Sequence, residues 1–350
     1  MGNPAGENIA RSQGAVQHVA WCYLPHLQFL MLGLGIYLGG FWLLLPLVVL
    51  LVVIPLLDTL TGWQDKAHFE KEDFSPTALF LLHWNTRLFV IFYMGCVTWV
   101  AMHVQAFTLL ELGLMMPSVC LLGGVAFSAC HELLHGKEWS DQFLQRIATT
   151  FIFYPHYKLI HIRSHHVHAG TDHDENTAWL NESIYAYILR TIPGSMIKSW
   201  QMEAKRYGFF SNKMVTYATG QLATVALLYL LAGPWGLLFY FCHIVGSHVV
   251  LESVNYVQHY GLMREHISET GKYERTAAEH SWDTYHFFSS FISFRVGHHS
   301  YHHLAVKPYY LLATEEGAPK LPAGYFWTTM IVLLPPWWRK ISHARLGLEV

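Results

Sequence analysis

Histidine organises this chain. His131-Glu-Leu-Leu-His135 follows directly on the apolar run from Leu112 to Cys130, and three further groups answer it: His161, His165 and His166; His259; and His299, His302 and His303. Two histidines four apart on a helix share a face and can grip one ion. Neutral imidazole suits iron, zinc, copper and nickel alike, so the spacing marks a metal site without choosing the metal.

The number of imidazoles separates the chemistries. H-E-x-x-H on a helix is also the zinc metalloprotease pattern, with Glu132 as general base. A catalytic zinc takes three protein ligands and one water, whereas the remaining clusters supply at least six more candidates. Nine imidazoles suit two ions with four or five ligands each. Soluble diiron bundles use paired Glu-x-x-His motifs, and Glu132-x-x-His135 has no second copy beside the other clusters. A centre dominated by histidine is therefore expected. A metal carrier would need ionisable residues lining a path deep in its spans, and the apolar segments hold almost none. His26, His103, His243 and His248 stand singly in apolar surroundings and read as hydrogen-bonded packing residues.

The elements that must position these rings are membrane helices. The 350 residues are 53% hydrophobic and 13% charged, where a soluble domain carries about a quarter charged. A net charge of −2 without a basic arm argues against a nucleic-acid partner. The five cysteines form no C-x-x-C pair and lie in or beside apolar segments, as small core hydrophobes do. The run from Leu27 to Leu57 is too long for one crossing of a roughly 30 Å hydrocarbon core, and it divides at Gly39-Gly40. Further hairpins turn near Ala106 to Glu111 and at Gly233-Pro234. The expected fold is an all-α integral membrane protein of one domain, 1–350. Six transmembrane helices pair as three hairpins at about 18–38, 41–58, 88–105, 112–130, 215–231 and 235–254. A cytosolic helical cap, 136–213 and 261–350, carries a histidine-rich dimetal site.

Positive charge supports this count independently. Neither Lys nor Arg occurs from 12 to 65, 88 to 136 or 214 to 263, so all 22 basic residues fall on one face. Cytoplasmic loops are enriched in Lys and Arg, which puts the cap and both termini in the cytoplasm, with a bacterial inner membrane as the expected location. The stretch from Tyr325 to Arg339 is apolar but broken by two prolines and reads as interfacial, not as a seventh span.

At this point the sequence resembles the membrane alkane hydroxylase and xylene monooxygenase branch of the fatty-acid desaturase-like superfamily, from about Ala129 to Leu312. HELLH matches the first histidine box of that family. His161-Ile-Arg-Ser-His165-His166 fits H-x-x-x-H-H, with Glu182-Ser183-Ile184-Tyr185 following, and Asn255-Tyr256-Val257-Gln258-His259-Tyr260-Gly261 fits N-Y-x-x-H-Y-G. Ser281-Trp282, His286 and His299-Ser300-x-His302-His303 complete the set. Carried across residue by residue, the resemblance implies His131, His135, His161, His165, His166, His259, His299, His302 and His303 as ligands of two non-haem irons. Two departures bear on the substrate. Arg295-Val-Gly-His298 replaces the family's L-Q-R before the last box, and Ile160 and Ser164 stand within the second, where the family has E-H-x-x-G-H-H.

Around the ligands, Asp174 is the preferred acceptor for an imidazole N–H, with Asp172 and Glu175 beside it. Glu252, near the end of a span, is expected to face the site or another polar group; Tyr260, His286 and His298 are further candidates near the ligands. The resemblance implies O₂-dependent attack on an alkyl C–H bond, with terminal hydroxylation of an alkane or alkyl chain as the first expectation. Desaturation or oxidative decarboxylation of a fatty acid, leaving a terminal alkene, is the alternative and would need a cationic anchor such as Arg163 or Arg295. An intramembrane zinc protease is the more distant one. There is neither a G-x-G-x-x-G dinucleotide fingerprint nor a Cys₄ set, so electrons are expected from a separate rubredoxin, ferredoxin or similar donor with its reductase. Substrate would enter from the surrounding membrane lipid.

Overall fold

Glycine, proline and capping side chains set where the apolar helices stop and start. The computed structural model describes residues 4–63, 69–209 and 211–348, and among these the only paired strands are the two-residue segments His266–Ile267 and Lys272–Tyr273. Among the described residues five helices are long and apolar enough to cross a membrane: Gln13–Leu38, Gly40–Thr61, Pro76–Met102, Leu109–His135 and Lys213–His259. Gly39, at φ 70°, separates the first two, at the glycine pair where the sequence divides them.

Five and not six are counted because Lys213–His259, where two spans are expected, counts once over its 47 residues although a kink divides it. At 1.5 Å per residue it would reach about 70 Å, more than twice a hydrocarbon core. It is not straight. Gly233 leaves helical geometry at φ 66°, ψ −172°, a region side chains disfavour, and Pro234 follows without an N–H to donate.

The middle two helices are longer than the expected 88–105 and 112–130. Ser75 Oγ accepts from Ala78 N at 3.2 Å and Pro76 occupies the first turn, so the third long helix begins well before Arg87. Arg87 looks like a boundary in sequence. The structure instead buries it within the helix, where Glu138 and Asp141 from the cap neutralise it at 2.6 and 2.8 Å. Thr108 and Glu111 form a reciprocal capping box, with N–H bonds of 2.9 and 3.2 Å, and the helix they open runs on to His135. His131 and His135 therefore stay on its last turns.

Helices 109–135 and 213–259 approach unusually closely. A Cβ on Gly123 would stand 2.0 Å from Ser247 Oγ, on Gly124 2.2 Å from Val250 Cγ1, and on Gly246 2.2 Å from Cys120 Sγ. Small residues permit such contact between apolar helices, and the result sets HELLH beside His259.

The cap is tied down by two buried carboxylates. Asp58, near the end of the second long helix, accepts from Phe288 N at 2.8 Å, from Ser289 N at 3.2 Å and from the Ser289 hydroxyl. Asp283 accepts from Ser300 N at 2.8 Å and from the hydroxyls of Ser300 and Tyr285, while burial pushes its carboxyl up to about 6. Between them they fix the segment that leads into His299. The Tyr325–Arg339 stretch forms parts of two short helices, Tyr325–Val332 and Pro335–Arg345. Trp338 is buried against Tyr256 and Tyr260, whereas Trp327 and Trp337 are exposed.

Three of the single histidines have hydrogen-bond partners. His243 lies 2.7 Å from Tyr93 Oη, His248 donates to Ile152 O at 2.8 Å and His103 to Trp99 O at 2.8 Å. His26 packs among Tyr23, Phe29 and Phe89, with neither ring nitrogen bonded.

Candidate metal centre

Four separate elements deliver the nine imidazoles. His131 and His135 lie one turn apart on the 109–135 helix, and His259 is the last residue of the 213–259 helix. His299, His302 and His303 share the short helix His299–Leu304. His161, His165 and His166 come from a cap segment whose winding is special. His161–His165 is a π-turn in which His166 N–H donates to His161 O, five residues back. In an α-helix residues five apart point about 140° away from each other; the wider turn brings them to the same side.

Two groups result, each with one ligand atom per residue and all atoms within 4.8 Å: His131, His135, His161 and His302, and His165, His259, His299 and His303. His166 adjoins the first, with its Nε2 3.0 Å from His161 Nε2 and 3.1 Å from His302 Nε2. Its ring also faces His303 of the second group at 4.8 Å between centroids. Within the first group His131 Nε2 and His161 Nε2 stand 3.0 Å apart; within the second, His299 Nε2 is 2.9 Å from His259 Nε2 and 3.0 Å from His303 Nε2.

These separations fit a bound cation better than hydrogen bonds. An imidazole nitrogen has either one proton or one lone pair, so His161 Nε2 cannot serve both His131 and His166, nor His299 Nε2 both its neighbours. Nitrogens about 3 Å apart are neighbours at right angles around an ion about 2.1 Å from each. His135 Nε2 is buried without any hydrogen-bond partner, as a donor atom awaiting an ion would be. Burial, reinforced by the neighbouring rings, holds His161, His299, His302 and His303 well below the usual histidine range and His166 at about 3, so these rings are neutral. Neutral imidazole is the form that ligates.

The surroundings fix two tautomers. Asp174 is fully buried and lies 2.9 Å from His165 Nδ1. Burial would raise its carboxyl, but His165 and then His259 more than reverse this and hold it below its ordinary value. An ionised carboxylate only accepts, so His165 carries its proton on Nδ1 and turns a lone pair inward from Nε2. His259 Nδ1 likewise donates to His280 O at 2.9 Å. The role of the His280 carbonyl is invisible in sequence, because any residue supplies one.

Other candidates stand elsewhere. Tyr260 turns its hydroxyl to Asn181 N at 3.0 Å and meets Trp338 edge to face, and His286 bonds Thr284 Oγ1 at 2.8 Å beside Trp63. Adjacency in sequence to the boxes did not become adjacency to the rings. His298 donates to Ala313 O at 2.8 Å and braces the loop before His299. Asp172 is exposed, and Glu175 lies 3.6 Å from Lys198. Glu252 is fully buried and accepts from Asn255 Nδ2 at 3.2 Å. Glu132 shares the wall of a cleft with His135 and accepts from Tyr309 N at 3.1 Å, which engages its side chain in holding the segment after the last histidine box.

Two openings reach the centre. A narrow cavity of about 20 Å³ lies between the 109–135 and 213–259 helices and touches His131, His161, His165 and His299; Phe127, Leu251, Val254 and Val296 are its apolar walls and Ser128, Asn255 and Gln258 its polar ones. No cation lines it. Arg163 is held by Glu203 at 2.6 Å, and Arg295 is buried against Tyr309 O at 3.4 Å. A second cleft, of about 420 Å³, has His135 in its wall and Lys71, Lys137, Glu138 and Lys307 around it.

Membrane-length helices that end in clustered neutral imidazoles define a membrane metalloprotein of the histidine-box kind. Residues 106–315 match the fatty acid desaturase family, and the chain belongs to it. It is 29% identical to the alkane 1-monooxygenase of Ectopseudomonas oleovorans over 90% of this chain and 79% of that protein. It is also 29% identical to alkane 1-monooxygenase 1 of Pseudomonas aeruginosa, over 88% and 84%. A xylene/toluene monooxygenase hydroxylase component of Pseudomonas putida is 26% identical over 63% of this chain and 60% of that protein. These relatives place the chain in the alkane hydroxylase branch.

Proposed function

We propose that this chain hydroxylates the terminal carbon of an alkane or alkyl chain, with O₂ as co-substrate, at a centre of two non-haem irons. The observation that carries the reading is the pair of adjoining histidine groups beside a cation-free cavity. Iron with O₂ supplies the oxidising power that side chains lack.

The protein's own residues do the rest. His131, His135, His161, His302 and His166 would hold one ion, and His165, His259, His299 and His303 the other. Asp174 and the His280 carbonyl keep two of these rings in the ligating tautomer. Phe127, Leu251, Val254 and Val296 would keep water from the rings and offer a hydrocarbon end an apolar contact beside them. Glu252 orients the Asn255 amide at the cavity wall. A fatty acid held by its carboxylate near the irons would need a free cation, and Arg163 and Arg295 are both engaged elsewhere.

In the membrane we infer six crossings, with the long last helix doubling back at Gly233. The whole chain is then one domain, with cap and termini on the cytoplasmic side of an inner membrane, which the one-sided distribution of Lys and Arg supports. The cleft at His135 suits a separate iron–sulfur electron donor with its reductase. Gas chromatography of products from membranes given dodecane or lauric acid tests the reading. Dodecanol is the expected product; an alkene one carbon shorter than lauric acid would replace hydroxylation with decarboxylation. About two irons per chain by elemental analysis is expected, and one zinc would overturn the centre.

A further inference from the structure

Away from the histidines, an open apolar groove of about 750 Å³ runs along the first half of the 213–259 helix, against the 76–102 helix. Thr216, Gly220, Thr224, Leu227 and Leu231 trace its floor. From Thr216 to Leu231 is about 22 Å at 1.5 Å per residue, most of a roughly 30 Å hydrocarbon core. Arg146, Thr216 and Tyr217 also line a second pocket of about 250 Å³, so the groove and this pocket adjoin.

That second pocket is strongly basic. Arg146, Lys158, Arg163 and Lys213 line it, and among the described residues the carboxylate paired with one of them is Glu203, 2.6 Å from Arg163. Among the described residues Arg146 and Lys213 form no ion pair, and Lys158 has only the Gln142 side-chain oxygen. Like charges gathered without counter-charges repel, and Lys158 is pushed below its ordinary range by burial and then by Arg146 and Lys213. None of the nine clustered histidines lines either pocket.

We propose that the groove and pocket together form a binding site for one anionic phospholipid, with an acyl chain along Gly220 to Leu231 and the phosphate among Arg146, Lys158 and Lys213. Basic pockets between membrane helices recognise acidic head groups in this way. An acidic protein would use the charge but leave the groove empty; the lipid uses both. The proposal does not depend on the reaction.

The test uses the full-length, metal-loaded protein in neutral detergent, with native mass spectrometry and thermal unfolding as readouts. Phosphatidylglycerol should bind one per chain, at least fivefold more strongly than phosphatidylcholine, and raise the melting temperature. Arg146→Gln with Lys213→Gln should abolish that preference. Gly220→Leu, which fills the floor where a Cβ already meets Thr150 Cγ2 at 3.2 Å, should weaken both lipids. Equal binding of the two lipids to the unaltered protein would overturn the proposal, as would equal stabilisation by inorganic phosphate. So would a double variant that keeps its lipid but loses only turnover supported by the electron donor, which would mark a protein-docking face.

Discussion

His161 and His166 stand five residues apart with their Nε2 atoms 3.0 Å from each other, because a π-turn replaces an α-turn between them. One extra residue per turn lets the H-x-x-x-H-H segment serve both histidine groups: His161 and His166 lie at the first and His165 at the second. Deleting Ile162 should restore α-winding and swing His161 about 100° away. Bound iron, measured by elemental analysis, is expected to fall by about half with loss of turnover. Two irons per chain in the deletion would show that the turn is dispensable.

Asp174 acts through His165. Asp174→Asn keeps the size but can present an N–H to Nδ1, which favours the wrong tautomer. Loss of such a partner typically weakens metal binding about 10- to 100-fold. Competition with a chelator should reveal this, with the apoprotein's melting temperature changing far less; unchanged affinity would reduce Asp174 to a packing residue.

Much of the centre was legible because its histidines are written at short helical spacings, and spacing is local. What stayed hidden is non-local or carried by the backbone. Asp58 and Asp283 meet partners 230 and 17 residues away, respectively, and neither bond leaves a sequence pattern. The π-turn is a choice of winding that His-Ile-Arg-Ser-His does not spell out. Tyr260 and His286 misled for the converse reason, since neighbours of the boxes in sequence turn toward Trp338 and Trp63. The long apolar helices were readable from glycines and absent charge, yet Arg87 lay inside a helix because two carboxylates of the cap meet it there.

The close helix contact gives a stability prediction. Gly123→Ala places a methyl 2.0 Å from Ser247 Oγ, between helices that carry His131 and His259. Overpacking of this kind costs about 1–3 kcal/mol. Thermal unfolding should shift down accordingly and iron content fall with it, whereas Gly113→Ala, with nothing within 4 Å of its Cβ, should leave both unchanged. A Gly123→Ala protein as stable as the parent would mean that the helices separate freely.

The neutral rings predict an acid limit. Burial lowers His166 from 6.5 to about 3 and holds His161, His299, His302 and His303 well below 6.5, so the folded apoprotein keeps them uncharged where the unfolded chain has begun to take up protons. More protons on the unfolded state means stability that is complete above about pH 6.5 and declines as pH drops toward 3. The melting temperature of metal-free protein should be lower at pH 5 than at pH 7.5. A flat profile would contradict the burial of uncharged rings.

Glu132 separates the oxygenase from the protease most sharply. In a zinc protease the glutamate of H-E-x-x-H is the general base, and losing its charge abolishes the reaction. Here its carboxylate accepts a hydrogen bond from Tyr309 N at 3.1 Å and braces the 109–135 helix against the segment after the last histidine box. A glutamine oxygen accepts the same bond, so Glu132→Gln should keep its iron and at least half of its dodecane hydroxylation. His131→Ala, which removes a ring from the first group, should lose both. If Glu132→Gln were inactive while retaining two irons, the carboxylate would belong to the chemistry and the reading of Glu132 as a brace would be wrong.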